Sequence, residues 1–232
     1  MPQRSSEVAE THLRVRRLVL FCDPPLTGDD GLLRKAVTAQ LPDRQLLHGH
    51  DPQGRPIASY VRYRVEQGLG HIAGWGPALD LLNEIRDDLT SLRLDRSLHE
   101  VLGSELHDNM EPFGLAPYPL SYCSLSPWLA LNERNHARYS QLQSPQKKRE
   151  LLSGIMVGNL LALAKHADHW VDGRIVCEVD PSCETSVSHK STELLGFDVE
   201  CQMNFYLPEW LGIGKLVSKG YGLFERTDDG LP

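Results

Sequence analysis

Residues 196–226 read GFDVECQMNFYLPEWLGIGKLVSKGYGLFER. In the first half, Phe197, Val199, Cys201, Met203, Phe205 and Leu207 alternate with Asp198, Glu200, Gln202, Asn204 and Tyr206. Successive side chains of a strand point to opposite faces, so this pattern predicts a strand with one buried and one wet face. In the second half, Gly212, Gly214, Gly220 and Gly222 fall within eleven positions, with Lys215, Ser218 and Lys219 among them. Glycines let backbone amides approach an anion, and two lysines add charge. The spacing fits neither a Walker loop nor the dinucleotide fingerprint. On the residues alone, a structural turn and a phosphate-binding loop both stay open.

Upstream, Ser144 and Pro145 form a helix start, and Leu152, Ile155, Met156, Leu160 and Leu163 share one face, which predicts a helix over about 145–166. The stretch MEPFGLAPYPLSY (110–122) holds three prolines and reads as a crossing between lobes. Before it, LRVRRLVLF (13–21) suggests a strand through Leu13, Val15, Val19 and Phe21, interrupted by Arg17. DDGLLRKAVTAQL (29–41) has helical spacing and an acidic start, and Pro42 ends it. SYVRYRVEQGLGHIAGWG (59–76) predicts a hairpin turning near Gln67-Gly68, with Tyr60, Arg62 and Arg64 on one face and Val61, Tyr63 and Val65 on the other. PALDLLNEIRDDL (77–89) predicts a helix opened by proline. Strand, helix, strand, strand, helix, strand is the ferredoxin-like order.

The 232 residues suffice for one large domain or two small ones. No apolar run reaches the roughly 18 residues of a membrane helix, and MPQRSSEVAE has no apolar signal region. The five cysteines (Cys22, Cys123, Cys177, Cys183, Cys201) form no C-x-x-C pair, which fits a reducing compartment. The expected location is therefore the cytoplasm, with no membrane partner. The formal charge of -7 argues against a protein that grips nucleic acid over its whole surface. The charge is segregated, however. Arg34 to Arg64 carries six basic residues against Asp43 and Asp51, whereas Asp80 to Glu111 carries nine acids against three arginines. The acidic stretch reads as a solvated face, with a surface for a basic partner protein as the alternative. Trp75, Trp128, Trp170 and Trp210 all sit beside apolar residues and are expected in the core.

His48 and His50 flank one glycine. Imidazole both takes and gives protons near neutral pH, and a charged partner disfavours charging the second ring, so a close pair divides into a base and an acid. The competing reading is a surface loop with two solvated histidines. No third ligand lies nearby for a metal. His166 and His169 suit the end of the long helix better than a metal site.

LPEWLGIGKLVSKGYGLFE (207–225) resembles the carboxy-terminal glycine-rich signature of the CRISPR-associated Cas6 family, and GFDVECQMNFYLP the strand before it. SPWLALNERNHARY (126–139) and LLSGIMVGNLLALAKH (151–166) are similar to the second lobe of its b subtype. LLHGHDPQGRPIASYVRYRVEQGLGHIAGWGPALDLLNEI (46–85) resembles that subtype's paired histidines, strand, hairpin and helix, with Ala58-Ser59 where the family pattern has tyrosine before proline. The resemblance implies an α+β fold of two tandem ferredoxin-like, RAMP-type lobes, here 1–115 and 116–232. It implies cleavage of CRISPR repeat RNA without metal or cofactor, by attack of a ribose 2′-hydroxyl to leave a 2′,3′-cyclic phosphate. His48 and His50 match the catalytic histidines, with Lys35, or in its place Arg34 or Arg55, as candidate for steadying the phosphorane. Arg34, Arg55 and Arg62, with Gly212, Gly214, Lys215, Ser218, Lys219, Gly220 and Gly222 of the loop, are the candidate RNA contacts. A non-catalytic RNA-holding subunit and a purely structural protein are the competing functions. Other CRISPR effector subunits and a second copy of the chain are the protein partners the resemblance admits.

Overall fold

The computed structural model describes residues 11–48, 59–189 and 191–227. The chain divides into two compact units. One holds Arg14–Glu111 together with Leu216–Tyr221, and the other Pro112–Lys215 with the flanking termini.

In the first unit, strands β1 (His12–Asp23), β2 (Val61–Glu66), β3 (Leu69–Trp75), β4 (Ser91–Leu94) and β5 (Ser97–Pro112) form a sheet in the order β2-β3-β1-β5-β4. Helices α1 (Asp30–Gln40) and α3 (Ala78–Ile85) contribute Leu33, Val37, Leu82 and Ile85 to a core with Leu18, Leu20, Val61, Tyr63 and Ile72 of the strands. The short helix α2 (Gln45–His48) adds Leu47. The hairpin turns at Gln67 and Gly68, both at positive φ, the backbone that a two-residue turn between right-twisted strands requires. Along β1 the residues of the helix-packed core are Leu18 and Leu20, of the opposite parity to the expected Leu13, Val15, Val19 and Phe21. Val15 and Val19 are buried too, so neither parity marks a wet face. Arg16 is held between the Asp108 carboxylate, at 2.9 Å through both Nε and Nη2, and the Leu79 carbonyl at 2.7 Å. Arg14 Nη2 donates to the same carboxylate at 3.0 Å, and the two arginines, Arg16 foremost, hold the Asp108 pKa down to about 2.

In the second unit, β6 (Gly114–Ser124), β7 (Cys177–His189), β8 (Thr192–Tyr206) and β9 (Phe224–Arg226) form an antiparallel sheet in the order β7-β8-β6-β9. The proline-rich stretch is the end of β5 and the start of β6, and within it, between Glu111 and Pro112, the chain crosses from the first unit to the second. Pro117 and Pro119, which have no N–H for a ladder, fall where the β6–β8 register shifts between Leu115 and Leu120. Helix α4 (Glu133–Gln141) is capped by Asn132, and α5 (Pro145–His166) by Ser144. Leu152, Met156, Leu160 and Leu163 of α5 are buried, as are Val179, Cys201, Met203 and Phe205 of the sheet. The Ser153 hydroxyl accepts the Val179 N–H at 3.0 Å and ties α5 to β7. No described helix is long and apolar enough to cross a membrane.

Both sheets carry the strand order of a β-α-β-β-α-β repeat, with β4 added at one edge of the first. The second unit departs in one place. Between β8 and β9, where the repeat would have its second helix, residues 207–223 contain only the 3-10 turn Val217–Lys219. The glycine-rich segment stands in place of a helix.

Candidate active site and glycine-rich loop

His48 closes α2, and its backbone carbonyl accepts a hydrogen bond from Arg34 Nη2 at 3.2 Å. Arg34 comes from α1, so two turns of different helices meet at this histidine. Leu47 anchors the short helix in the core, and the Tyr63 hydroxyl reaches its carbonyl at 3.4 Å. His48 Nε2 and Arg34 Nε are both buried with no hydrogen-bond partner among the described residues. A buried polar atom without a partner costs about 1–3 kcal/mol, a cost met mostly at sites that need the atom for something else. Lys35, the next residue on α1, is exposed, and no contact joins it to His48. Arg34, not Lys35, is the cation bonded to this segment. His50 and Arg55 lie outside the described residues.

Arg62 is placed otherwise than expected of an RNA contact. Only 4% exposed, its guanidinium donates to the Ser59 carbonyl at 2.8 Å and lies 4.7 Å from the Trp75 ring centroid. Burial lowers its pKa to about 9, which still leaves it charged at neutral pH. Its guanidinium lies over the Trp75 ring, which also meets the Tyr60 ring edge-on. The alternation that put Arg62 and Arg64 on one face is correct as geometry, since they oppose Ala73 and His71 on β3.

The glycine-rich loop is divided between the two units. Gly212, Ile213, Gly214 and Lys215 belong to the second. Gly214, at φ +98°, lies so close to Trp128 that a Cβ would stand 2.9 Å from the indole. Gly212 and Gly222 are buried, and Gly222 closes the turn by accepting the Ile213 N–H and donating to Pro127. Lys215 is exposed, and its backbone N–H donates to the Leu129 carbonyl at 3.1 Å.

Leu216–Tyr221 belong to the first unit. Gly220, at φ +89°, packs so tightly on Asp30 that a Cβ would run into the carboxylate. Asp30 Oδ1 in turn accepts the Val65 N–H at 2.8 Å, and Asp29 caps α1 through the Leu32 N–H at 2.7 Å. Burial, and then the charges of Asp29 and Asp30, push the Tyr221 hydroxyl up. The amino end of α1 therefore already holds two carboxylates, an unsuitable seat for a further anion. Ser218 and Lys219 are half-buried, and Lys219 is engaged, unlike the exposed Lys215. Asp30 and Arg34 lie one turn apart on α1, so this one helix carries both the glycine contact and the cation at His48.

Sequence reasoning missed the exposure of Trp170, which at 85% is no core residue, whereas Trp75 and Trp128 are fully buried as expected. It also missed α4 as a helix. Asn132 followed by Glu133 was the available signal, a helix cap with an acid in the first turn.

The chain is 34% identical over 148 residues to an uncharacterized protein of Methanocaldococcus jannaschii, a match covering 64% of this chain and all of that one. Residues 114–227 match the family model described as the Cas6b C-terminal domain. The chain belongs to the Cas6b family. Among solved structures, a Cas6b covers 93% of this chain and 100% of its own, with a TM-score of 0.81 at 23% identity. A structure titled as the CRISPR RNA processing endoribonuclease Cas6b covers 92% of this chain and 99% of its own, with a TM-score of 0.68 at 20% identity. A type IV Cas6 crRNA endonuclease, Csf5, covers 94% of this chain and 100% of its own, with a TM-score of 0.62 at 14% identity. At these identities the likeness establishes the fold: two ferredoxin-like lobes of the Cas6b kind, built on the two antiparallel sheets described above.

Proposed function

We propose that this Cas6b-family chain is an endoribonuclease that cuts CRISPR repeat RNA, with His48 and His50 as its acid–base pair. The observation that carries the reading is the buried Nε2 of His48, without a partner among the described residues, beside Arg34 in a chain of this family. In the reaction, one imidazole removes the proton from the ribose 2′-hydroxyl, and the oxygen attacks the adjacent phosphorus. The bond to the 5′-oxygen breaks as the other imidazole protonates it. The products are a 2′,3′-cyclic phosphate and a free 5′-hydroxyl, and the two protein protons balance. Arg34, and Lys35 beside it, supply positive charge for the pentacoordinate phosphorane. Lys215, the exposed cation of the loop, and Arg55 contribute contacts to the strand. Nothing in this sequence of steps requires a metal, because the nucleophile belongs to the substrate and both proton transfers belong to imidazoles.

The test is single-turnover cleavage of the repeat RNA in EDTA, beside a substrate with 2′-deoxyribose just upstream of the cut. We expect one cut in the first, and binding without cutting in the second. Loss of activity in EDTA, or normal cutting of the deoxy substrate, would overturn the mechanism. Binding of the all-ribose RNA with no cut would instead favour a subunit that only holds RNA.

A further inference from the structure

Helices α4 and α5 and the first half of the glycine-rich loop enclose a groove of about 850 Å³ within the second unit. Gly154 and Gly158 of α5 form its floor, one turn apart, and Ala162 continues the line. A Cβ built on either glycine meets nothing within 4 Å. These glycines thus serve no close packing inside the protein, although each costs a helix interior about 1 kcal/mol relative to alanine. What they provide is a length of bare helix backbone facing an open channel.

The rim carries the second observation. Arg138 from α4, Lys147 from α5 and Lys215 from the loop all line the groove. Among the described residues, no ion pair or hydrogen bond engages any of these three side chains. Their neighbours on α5 behave differently. Lys148 lies 3.5 Å from Glu184 and over the Tyr139 ring, and Arg149 lies 3.5 Å from Asp180. One carboxylate, Glu150, lines the groove, and it accepts from Gln146. On a chain with a formal charge of -7, three unpaired cations around one channel are a local reversal of sign. From Lys147 to Gly158 the channel follows α5 for about 16 Å, at 1.5 Å per residue.

We propose that the α4–α5 groove is a contact surface for single-stranded RNA, in which the sugar-phosphate backbone lies over Gly154 and Gly158 between Arg138, Lys147 and Lys215. It rests on the reading that the chain acts on RNA, and extends that contact away from the histidines to a length of strand that is held but not cut. Charge chooses this occupant over a second copy of the chain. In a two-fold contact the same rim would face itself, setting cation against cation.

The test is a binding titration of labelled, unpaired repeat RNA at several salt concentrations. Arg138→Ala with Lys147→Ala should weaken binding at least about fivefold and flatten the slope of log K against log salt by about 1.4, at 0.7 per phosphate contact. Gly158→Leu should weaken binding by filling the channel, with an unchanged salt slope and an unfolding midpoint that stays or rises. Arg149→Ala, on the same helix but already paired, should bind as wild type. The proposal is overturned if the double variant keeps wild-type affinity and slope, if Arg149→Ala is equally damaging, or if Gly158→Leu acts only by dissociating a dimer. Single-turnover cleavage of the same samples separates the two readings. Wild-type protein that binds but does not cut removes the catalytic reading and leaves the groove standing on its salt slopes. Wild-type cutting with unaltered binding by the groove variants removes the groove alone, and wild-type protein that does not bind RNA removes both.

Discussion

Replacing Gly220 by alanine tests whether the glycine-rich loop owes its composition to RNA or to its own packing. Gly220 has φ +89° and ψ 5°, and a Cβ there would strike the Asp30 carboxylate. Alanine in a left-handed conformation costs about 1–2 kcal/mol. Displacing Asp30 weakens its hydrogen bond to the Val65 N–H, now 2.8 Å, and a bond to a charged acceptor is worth about 1.5–3 kcal/mol. Part of that bond survives by adjustment, so the expected total is about 3 kcal/mol. Urea unfolding followed by fluorescence, compared at equal slope, measures it. The opposite sign is expected at Gly154, where alanine meets nothing and should stabilise α5 by up to about 1 kcal/mol. A loss below about 1 kcal/mol for Gly220→Ala would refute the argument, since the backbone term alone predicts that much.

Two further predictions concern protons. His48→Ala with His50→Ala should slow single-turnover cleavage at least about a hundredfold while RNA affinity in a binding titration barely changes. His71 is 6% exposed, and burial, followed by Arg17, lowers its pKa from 6.5 to about 4, so the folded protein keeps it neutral where the unfolded chain takes up a proton. Its contribution is complete above about pH 6.5 and falls as the pH drops towards 4, by up to about 3 kcal/mol; urea midpoints at pH 7.5 and 4.5 should show this slope, and His71→Gln should flatten it.

What the sequence disclosed was set by how local each signal was. The hairpin at Gln67-Gly68, the cap at Ser144 and the helix from Pro145 to His166 each depend on neighbours within a few positions, and each stands where it was read. The parity of β1 depends on contacts far along the chain. Arg16 looks like a wet residue until Asp108, 92 positions away, supplies its carboxylate. Arg62 misleads in the same way, because only the folded hairpin brings Trp75 under its guanidinium. The prolines of 110–122 were read as the crossing between lobes, and the chain does cross there, but that Pro117 and Pro119 sit inside a strand at a register shift has no local signature. His48 and His50 were legible as a candidate pair from their spacing, and Arg34 as one of three candidate cations, but which cation bonds to His48 was not legible. The Arg138, Lys147 and Lys215 rim joins three segments scattered over 78 positions, and no window of sequence displays it.

The exchange of Leu216–Tyr221 into the first unit also orders events during synthesis. Asp30 leaves the ribosome 190 residues before Gly220, an interval of about ten to forty seconds at 5–20 residues per second. Throughout that time the nascent first unit can close its core of leucines, yet the amino end of α1 and strand β2 lack the turn that packs on them. The half made first is thus finished by a segment that emerges well after it. Nonsense or frameshift changes near residue 215 would leave it with that surface uncovered, a ready target for chaperones and proteases.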